Sequence, residues 1–261
     1  LPFSLKQGIR RMDQKGFQSL NTVHLASLFL PVEDDMGLFW SFSTAHLGLF
    51  YPESKVMRDH FRFDELISER QKARIMRRYK RMIQRHLYAL GGEASLRFLS
   101  KNPTMAAKVE AIAHHFPDGQ AVVIERPPHN VLPSTRLLVE TQIAVATDVP
   151  MSAEETQATC SILEDFRHNL QRHLTDRHVM PFAVMQFTDL VRDRGASVNA
   201  LLQWLECEAS YSPLEQLHAH RSKKAYTPLT DDELTAVLRH PWPSWPSHAL
   251  LSVQHGQSQA S

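Results

Sequence analysis

Cysteine is scarce. Cys160 and Cys207 are the two cysteines in 261 residues, too few for a disulfide framework or a four-cysteine zinc site. That usage fits a reducing compartment, and a cytoplasmic location is expected. Glycine is scarce too: the nine glycines, at 8, 16, 37, 48, 91, 92, 119, 195 and 256, form no G-x-x-x-x-G-K-[ST] phosphate loop or related turn. With 15 prolines beside them, a collagen-like or Gly/Pro-rich disordered chain is excluded. Neither sign of charge dominates, since 29 Lys+Arg face 28 Asp+Glu for a formal charge of +1. This balance argues against a general binder of nucleic acid or anionic membranes, while leaving room for a local basic patch. No run of about 18 apolar residues exists to form a membrane-spanning helix. The chain starts Leu1-Pro2-Phe3, without Met and without the basic-then-apolar order of a secretory signal. It reads as an internal piece of a longer protein or a processed product.

What is present is ordinary globular material, 43 % apolar and 22 % charged, enough for one domain with a sizeable core. One domain is expected over residues 1–240, followed by a flexible tail, 241–261, whose tryptophans dock back. The clearest helix spans about 65–90. Ile75, Met76, Tyr79, Met82, Ile83, His86, Leu87 and Leu90 recur at three- and four-residue steps, and Gly91-Gly92 ends the run. The other face of this helix is basic: eight Lys/Arg and no acid lie between Arg70 and Arg85. That face reads as solvated, with contact to nucleic acid or an acidic acceptor as the alternative.

Beyond it the rhythm changes. Short strands are expected at 95–100, 121–125 and 182–187. Helices are expected at 104–116, 132–147, 153–174, 196–206 and 231–239. Pro133 is expected in a first helical turn, and Ser152/Glu155 and Thr230/Glu233 form capping boxes. Strands separated by helices predict crossovers and a parallel sheet.

The chemistry concentrates in Ala121–Leu138, AVVIERPPHNVLPSTRLL. An apolar strand ends in Arg126, and Ser134 stands eight residues later in a helix start. Open α/β sheets bind ligands at such strand ends, and an Arg fork with a Ser hydroxyl suits a phosphate. The alternative is a strand-end ion pair and a helix cap. The histidines offer no ligand set: His168 and His173 are five apart, not the four that shares a helix face, and no metal is expected. Glu33-Asp34-Asp35 reads as a loop or cap, with positioning of an acceptor or a base as the alternative.

Several segments in order resemble the sulfotransferase family. They are Leu99-Ser100-Lys101-Asn102-Pro103, Phe116-Pro117-Asp118, Val123-Ile124-Glu125-Arg126-Pro127-Pro128, Pro133-Ser134-Thr135 and Gln186–Asp193. They look like the branch reading roughly "LLKSP…FPDARFIHIVRDP…VPSTL", with Gln186–Asp193 similar to its "YEDLVADP" strand and turn. Pro31–Asp35 and Phe50-Tyr51-Pro52 look like its "PEEDE…LFP" segment.

The resemblance implies a P-loop-type α/β fold, a three-layer sandwich with a short parallel sheet flanked by many helices and lacking the first strand. It implies transfer of a sulfuryl group from 3′-phosphoadenosine 5′-phosphosulfate to a hydroxyl or amine of a small-molecule, lipid or carbohydrate acceptor, with no nucleic-acid partner. In that likeness Arg126 and Ser134 clamp the 3′-phosphate, Lys101 faces the sulfuryl group, and Arg221 and Lys223 close over the phosphate from His220–Tyr226. The variable acceptor pocket falls near 35–65 and 140–155.

Three departures accompany the resemblance: the Gly-rich phosphosulfate loop is absent, Pro127 replaces Asp or Asn, and Met105 stands where many relatives carry His. In His220–Tyr226, Lys224 stands where the family's "K-x-H-x-Y" has its His. Truncation is the expected cause of the missing loop, so this chain alone is not expected to transfer sulfate. A non-catalytic nucleotide-binding relative, or a basic-helix nucleic-acid binder on another scaffold, are the competing readings.

Overall fold

The computed structural model describes residues 33–50, 54–92, 97–146, 150–211, 226–242 and 244–251, with isolated positions before residue 19. After Glu33 the chain winds into a 3-10 helix, Asp34–Ser41, then α1 (His46–Phe50), α2 (Lys55–Phe61) and α3 (Phe63–Leu66). The long helix α4 covers Glu69–Ala89 and buries Ile75, Met76, Tyr79 and Ile83, the predicted stripe. It ends where expected. Gly91 and Gly92 take φ of 112° and 66°, and their amides close on the Tyr88 and Leu87 carbonyls, a left-handed turn that glycine adopts without steric cost.

The helix expected over 104–116 forms in two pieces, a 3-10 turn Pro103–Ala107 and α5, Val109–His115. Side chains set both starts. Asn102 Oδ1 accepts from the Thr104 amide at 3.0 Å, and the Asp64 carboxylate takes the amides of Glu110 and Ala111 at 3.0 and 3.1 Å. β1 (Ala121–Glu125) leads to α6 (Pro128–Ala146), then α7 (Ala153–Leu170) with a π-turn, Gln171–Asp176. β2 (Phe182–Gln186), α8 (Phe187–Arg192), α9 (Arg194–Trp204), α10 (Asp231–Val237) and a 3-10 turn at Ser247–Ala249 complete the order. Gln186–Asp193, expected as strand and turn, thus runs from the last residue of β2 into α8.

β1 and β2 pair in parallel, Ala121 opposite Phe182 and Glu125 opposite Gln186. The α/β class with a short parallel sheet flanked by helices is therefore the observed one. The strand expected at 95–100 is corrected: its described part, 97–100, carries no regular structure. Side chains hold it instead. Arg97 Nη1 donates to the Leu205 carbonyl at 2.7 Å, and Phe98 stands edge-on to His86 with centroids 6.2 Å apart.

A second correction concerns α6. It starts at Pro128, with the Pro127 carbonyl accepting from Asn130 and Val131, so Pro133 lies in the helix interior. Lacking an N–H, Pro133 leaves the His129 carbonyl unclaimed within the helix. The Leu229 amide takes it at 2.9 Å.

The main core lies among helices rather than on the sheet. Leu38, Phe61, Phe63, Ile75, Met76, Ile162 and Phe166 meet there, joining α4 to α2, α3 and α7. Phe61 and Phe63 are 1 % and 0 % exposed, each contributing roughly 1.5–3 kcal/mol of burial. Ala183, Val184 and Met185 bury β2. Beyond residue 241, Trp242 and Trp245 fold back and Leu250 bridges to Val184 in parallel.

Candidate functional site

β1 ends at Glu125, whose carboxylate is fully engaged. It accepts from Trp245 Nε1 at 2.8 Å and Trp242 Nε1 at 3.4 Å, and it stands 3.2 Å from Arg167 Nη1. Burial draws the Arg167 guanidinium down to about 10, Glu125 opposing; it also lies 4.0 Å from the Trp245 ring centroid. With its neighbour so occupied, Arg126 points elsewhere.

Arg126 Nη1 donates to Ser134 Oγ at 3.2 Å, and Nη2 donates to Tyr226 Oη. The guanidinium sits between two rings, 5.2 Å from the Phe187 centroid and 5.5 Å from that of Tyr226. Ser134 Oγ donates to the Val131 carbonyl at 3.1 Å, so the hydroxyl's lone pairs are turned to Arg126. Ser134 lies in the second turn of α6 because that helix begins earlier than expected. Among the described residues no carboxylate pairs with Arg126. Around it opens a cleft of about 360 Å³, lined by Arg126, Pro127, Asn130, Phe187, Thr188 and Tyr226 among others. A guanidinium free of an acid and open to solvent, with N–H groups beyond the two donated to the hydroxyls, is the donor an oxyanion needs.

Lys101 does not join this group. It follows the irregular segment 97–100 rather than a strand end, and its Nζ donates to Glu33 Oε1 at 2.8 Å with the lysine side chain 71 % exposed. Burial pulls the Glu33 carboxyl upward, but Lys101, a backbone hydrogen bond and His46 together leave that carboxyl lowered. Arg221 and Lys223 lie outside the described residues.

The acidic knot is a buried centre. Asp35, 0 % exposed, accepts from Asn102 Nδ2 at 2.6 Å and from Thr44 Oγ1, Thr104 Oγ1 and Lys108 Nζ, each at 2.9 Å. His46 Nε2 stands 3.1 Å away. Burial would raise this carboxyl; His46 and Lys108 win and hold it far below the usual range. Tyr79 donates to Asp34, and burial together with that carboxylate pushes the phenol up. The knot therefore locks the 3-10 turn to α4 and to Asn102–Lys108. Among the described residues no group of His, Cys, Asp and Glu is arranged to hold a metal.

Sequence reasoning missed Phe187 and Tyr226 as flanks of Arg126. Tyr226 belongs to the segment singled out for its basic residues, and an aromatic was the signal available there. A profile described as the sulfotransferase family matches residues 43–211. The chain belongs to the sulfotransferase family. The match takes in Lys101, Arg126, Ser134 and Phe187 and stops short of Tyr226. No curated protein and no solved structure matches the chain. Sulfuryl transfer is thus the general chemistry of this sulfotransferase domain, and no described helix is long and apolar enough to cross a membrane.

Proposed function

We propose that the chain binds 3′-phosphoadenosine 5′-phosphosulfate through Arg126 and Ser134 and serves transfer of its sulfuryl group to a hydroxyl or amine acceptor, leaving adenosine 3′,5′-bisphosphate. One observation carries this reading. Arg126 stands past a parallel strand end, hydrogen-bonded to Ser134 at 3.2 Å, with no carboxylate on it among the described residues. A guanidinium that forms a charge-assisted pair with a phosphate would take the anion from the cleft side with its remaining N–H groups, and Ser134 Oγ would turn its proton from the Val131 carbonyl to the anion. When bound, the nucleotide supplies the activated sulfuryl group. The chain's own contribution at this end is orientation, which matters because in-line displacement depends on alignment.

Arg221 and Lys223 belong to the proposal as further cations for the 3′-phosphate, and Lys101 as the cation toward the sulfuryl group; for all three the support is the family resemblance. In the Lys101 role the ion pair with Glu33 has to open. Calorimetric titration with adenosine 3′,5′-bisphosphate tests the site. Arg126→Ala is expected to weaken binding by roughly 1.5–3 kcal/mol, the scale of a charged hydrogen bond. Equal binding by the variant removes Arg126 from the site.

A second reading, a nucleotide-binding module without transferase activity, is favoured by the lack of any Gly-rich phosphosulfate loop in the 261 residues. Sulfate-transfer assays on this chain and on a chain extended upstream separate the two. Activity of the extended chain supports the transferase, and binding by both chains without activity in either supports the module.

A further inference from the structure

The outer face of α4 is used by nothing described above. Arg70, Arg74, Arg77, Arg78, Arg81 and Arg85 follow one another at steps of four, three, one, three and four residues. At about 100° per residue they fall within an arc of about 100°, a straight stripe roughly 22 Å long. All six are exposed. Among the described residues none has an ion-pair or hydrogen-bond partner, and the acid of this helix, Glu69, is taken by Lys72 at 2.7 Å. The whole chain carries a formal charge of only +1, so this positive field is local rather than a general basicity.

The stripe ends in exposed apolar groups. Tyr88 continues the same arc, three residues past Arg85, and is 83 % exposed; off that arc, at the C-terminal end of the helix, Leu90 is 63 % exposed and Leu99 83 %. Phe98, packed against His86, brings Leu99 to this end of the helix. The apolar face of α4 is meanwhile committed to the core, so the helix presents its outer face without leaving the fold.

We propose that this face, together with the exposed C-terminal end of α4, docks the protein on an anionic lipid bilayer. The two halves of the observation choose the partner together. A soluble polyanion would neutralise the guanidinium stripe and leave Tyr88, Leu90 and Leu99 in water, whereas single-stranded nucleic acid would ask for several stacking aromatics along the stripe. An anionic membrane surface attracts polybasic clusters, and its headgroup region takes tyrosine and leucine side chains. The inference does not depend on the reaction proposed above.

Flotation of the chain with vesicles tests it. Vesicles of phosphatidylcholine with about a third phosphatidylserine are expected to carry at least roughly tenfold more protein than phosphatidylcholine alone, the difference shrinking with added salt. Arg77→Glu/Arg81→Glu abolishes that preference. Tyr88→Ser/Leu90→Ser, exposed positions that leave the circular dichroism spectrum unchanged, lowers binding several-fold at physiological salt. Equal capture by both vesicle types overturns the proposal. So does a preference for heparin or oligonucleotide over the acidic vesicles combined with indifference to Tyr88→Ser/Leu90→Ser, which assigns the stripe to a soluble polyanion.

Discussion

Asp35 and Lys108 face each other 2.9 Å apart with side chains 0 % and 1 % exposed, and the ammonium also lies over the Phe63 ring. A pair buried this deeply stands or falls together, because removing one partner strands a charge, at a cost of about 3–5 kcal/mol. His60, buried beside them, shows how far that charge reaches. Burial first, and Lys108 second, lower its imidazole to about 4. An unfolded histidine titrates near ~6.5, so below that pH the unfolded chain binds a proton that the folded chain refuses. The stability His60 contributes is complete above ~6.5 and is lost as pH falls toward 4. Between pH 7.5 and 5 the loss is roughly 2 kcal/mol. His173, also lowered by burial, adds to the same slope, and Asp35, whose carboxyl is held low, contributes only below about 4, where the unfolded carboxyl titrates. Urea midpoints of the wild type and His60→Gln at both pH values isolate the term: the variant should lose correspondingly less, and an equal loss in both excludes His60 as its source.

The short helices α1 and α2 approach so closely that a side chain does not fit between them. A Cβ placed on Gly48 would meet the Phe61 ring at 2.1 Å. That ring has nowhere to go, since it is 1 % exposed and packs edge-on against Phe166 with centroids 5.8 Å apart. Gly48→Ala is expected to cost roughly 1–3 kcal/mol as overpacking, read as a lower thermal midpoint; an unchanged midpoint would mean that α2 slides freely. Elements whose signals are local were legible in the sequence. The Ser152/Glu155 and Thr230/Glu233 boxes form as reciprocal bonds, α4 follows its periodicity, and β1 and β2 lie on their apolar runs. What failed depends on partners far along the chain. Residues 97–100 are held by Leu205 instead of a ladder, and the start of α6 was misjudged because Pro133's missing bond is compensated from Leu229. The proximity of Arg126 and Ser134 was legible from an eight-residue spacing, while Tyr226, 100 residues from Arg126, was reachable only through the family resemblance of His220–Tyr226.

Over the whole molecule, residues 226–242 and 244–251 run along the sheet. Trp242 and Trp245 take the carboxylate that ends β1, and Leu251 donates to the Val184 carbonyl at 2.9 Å. The stretch that brings Tyr226 to Arg126 is tied to the first turn of α6 twice, through the Leu229 amide on the His129 carbonyl at 2.9 Å and through Asp231 on His129 Nε2 at 2.8 Å. The first tie exists because a proline four residues on declines that carbonyl. Restoring the N–H with Pro133→Ala gives the helix back its bond and relieves a residue that costs about 3 kcal/mol in a helix interior. The same carbonyl then has two suitors, and the wall that carries Tyr226 loses its exclusive anchor. The variant should melt at a higher temperature and bind adenosine 3′,5′-bisphosphate several-fold more weakly. A protein that is both more stable and equally tight would show that the wall is held elsewhere. In that outcome, stability and affinity for the proposed nucleotide are set against each other at one backbone oxygen, and selection for a firmer helix at this point would erode the site.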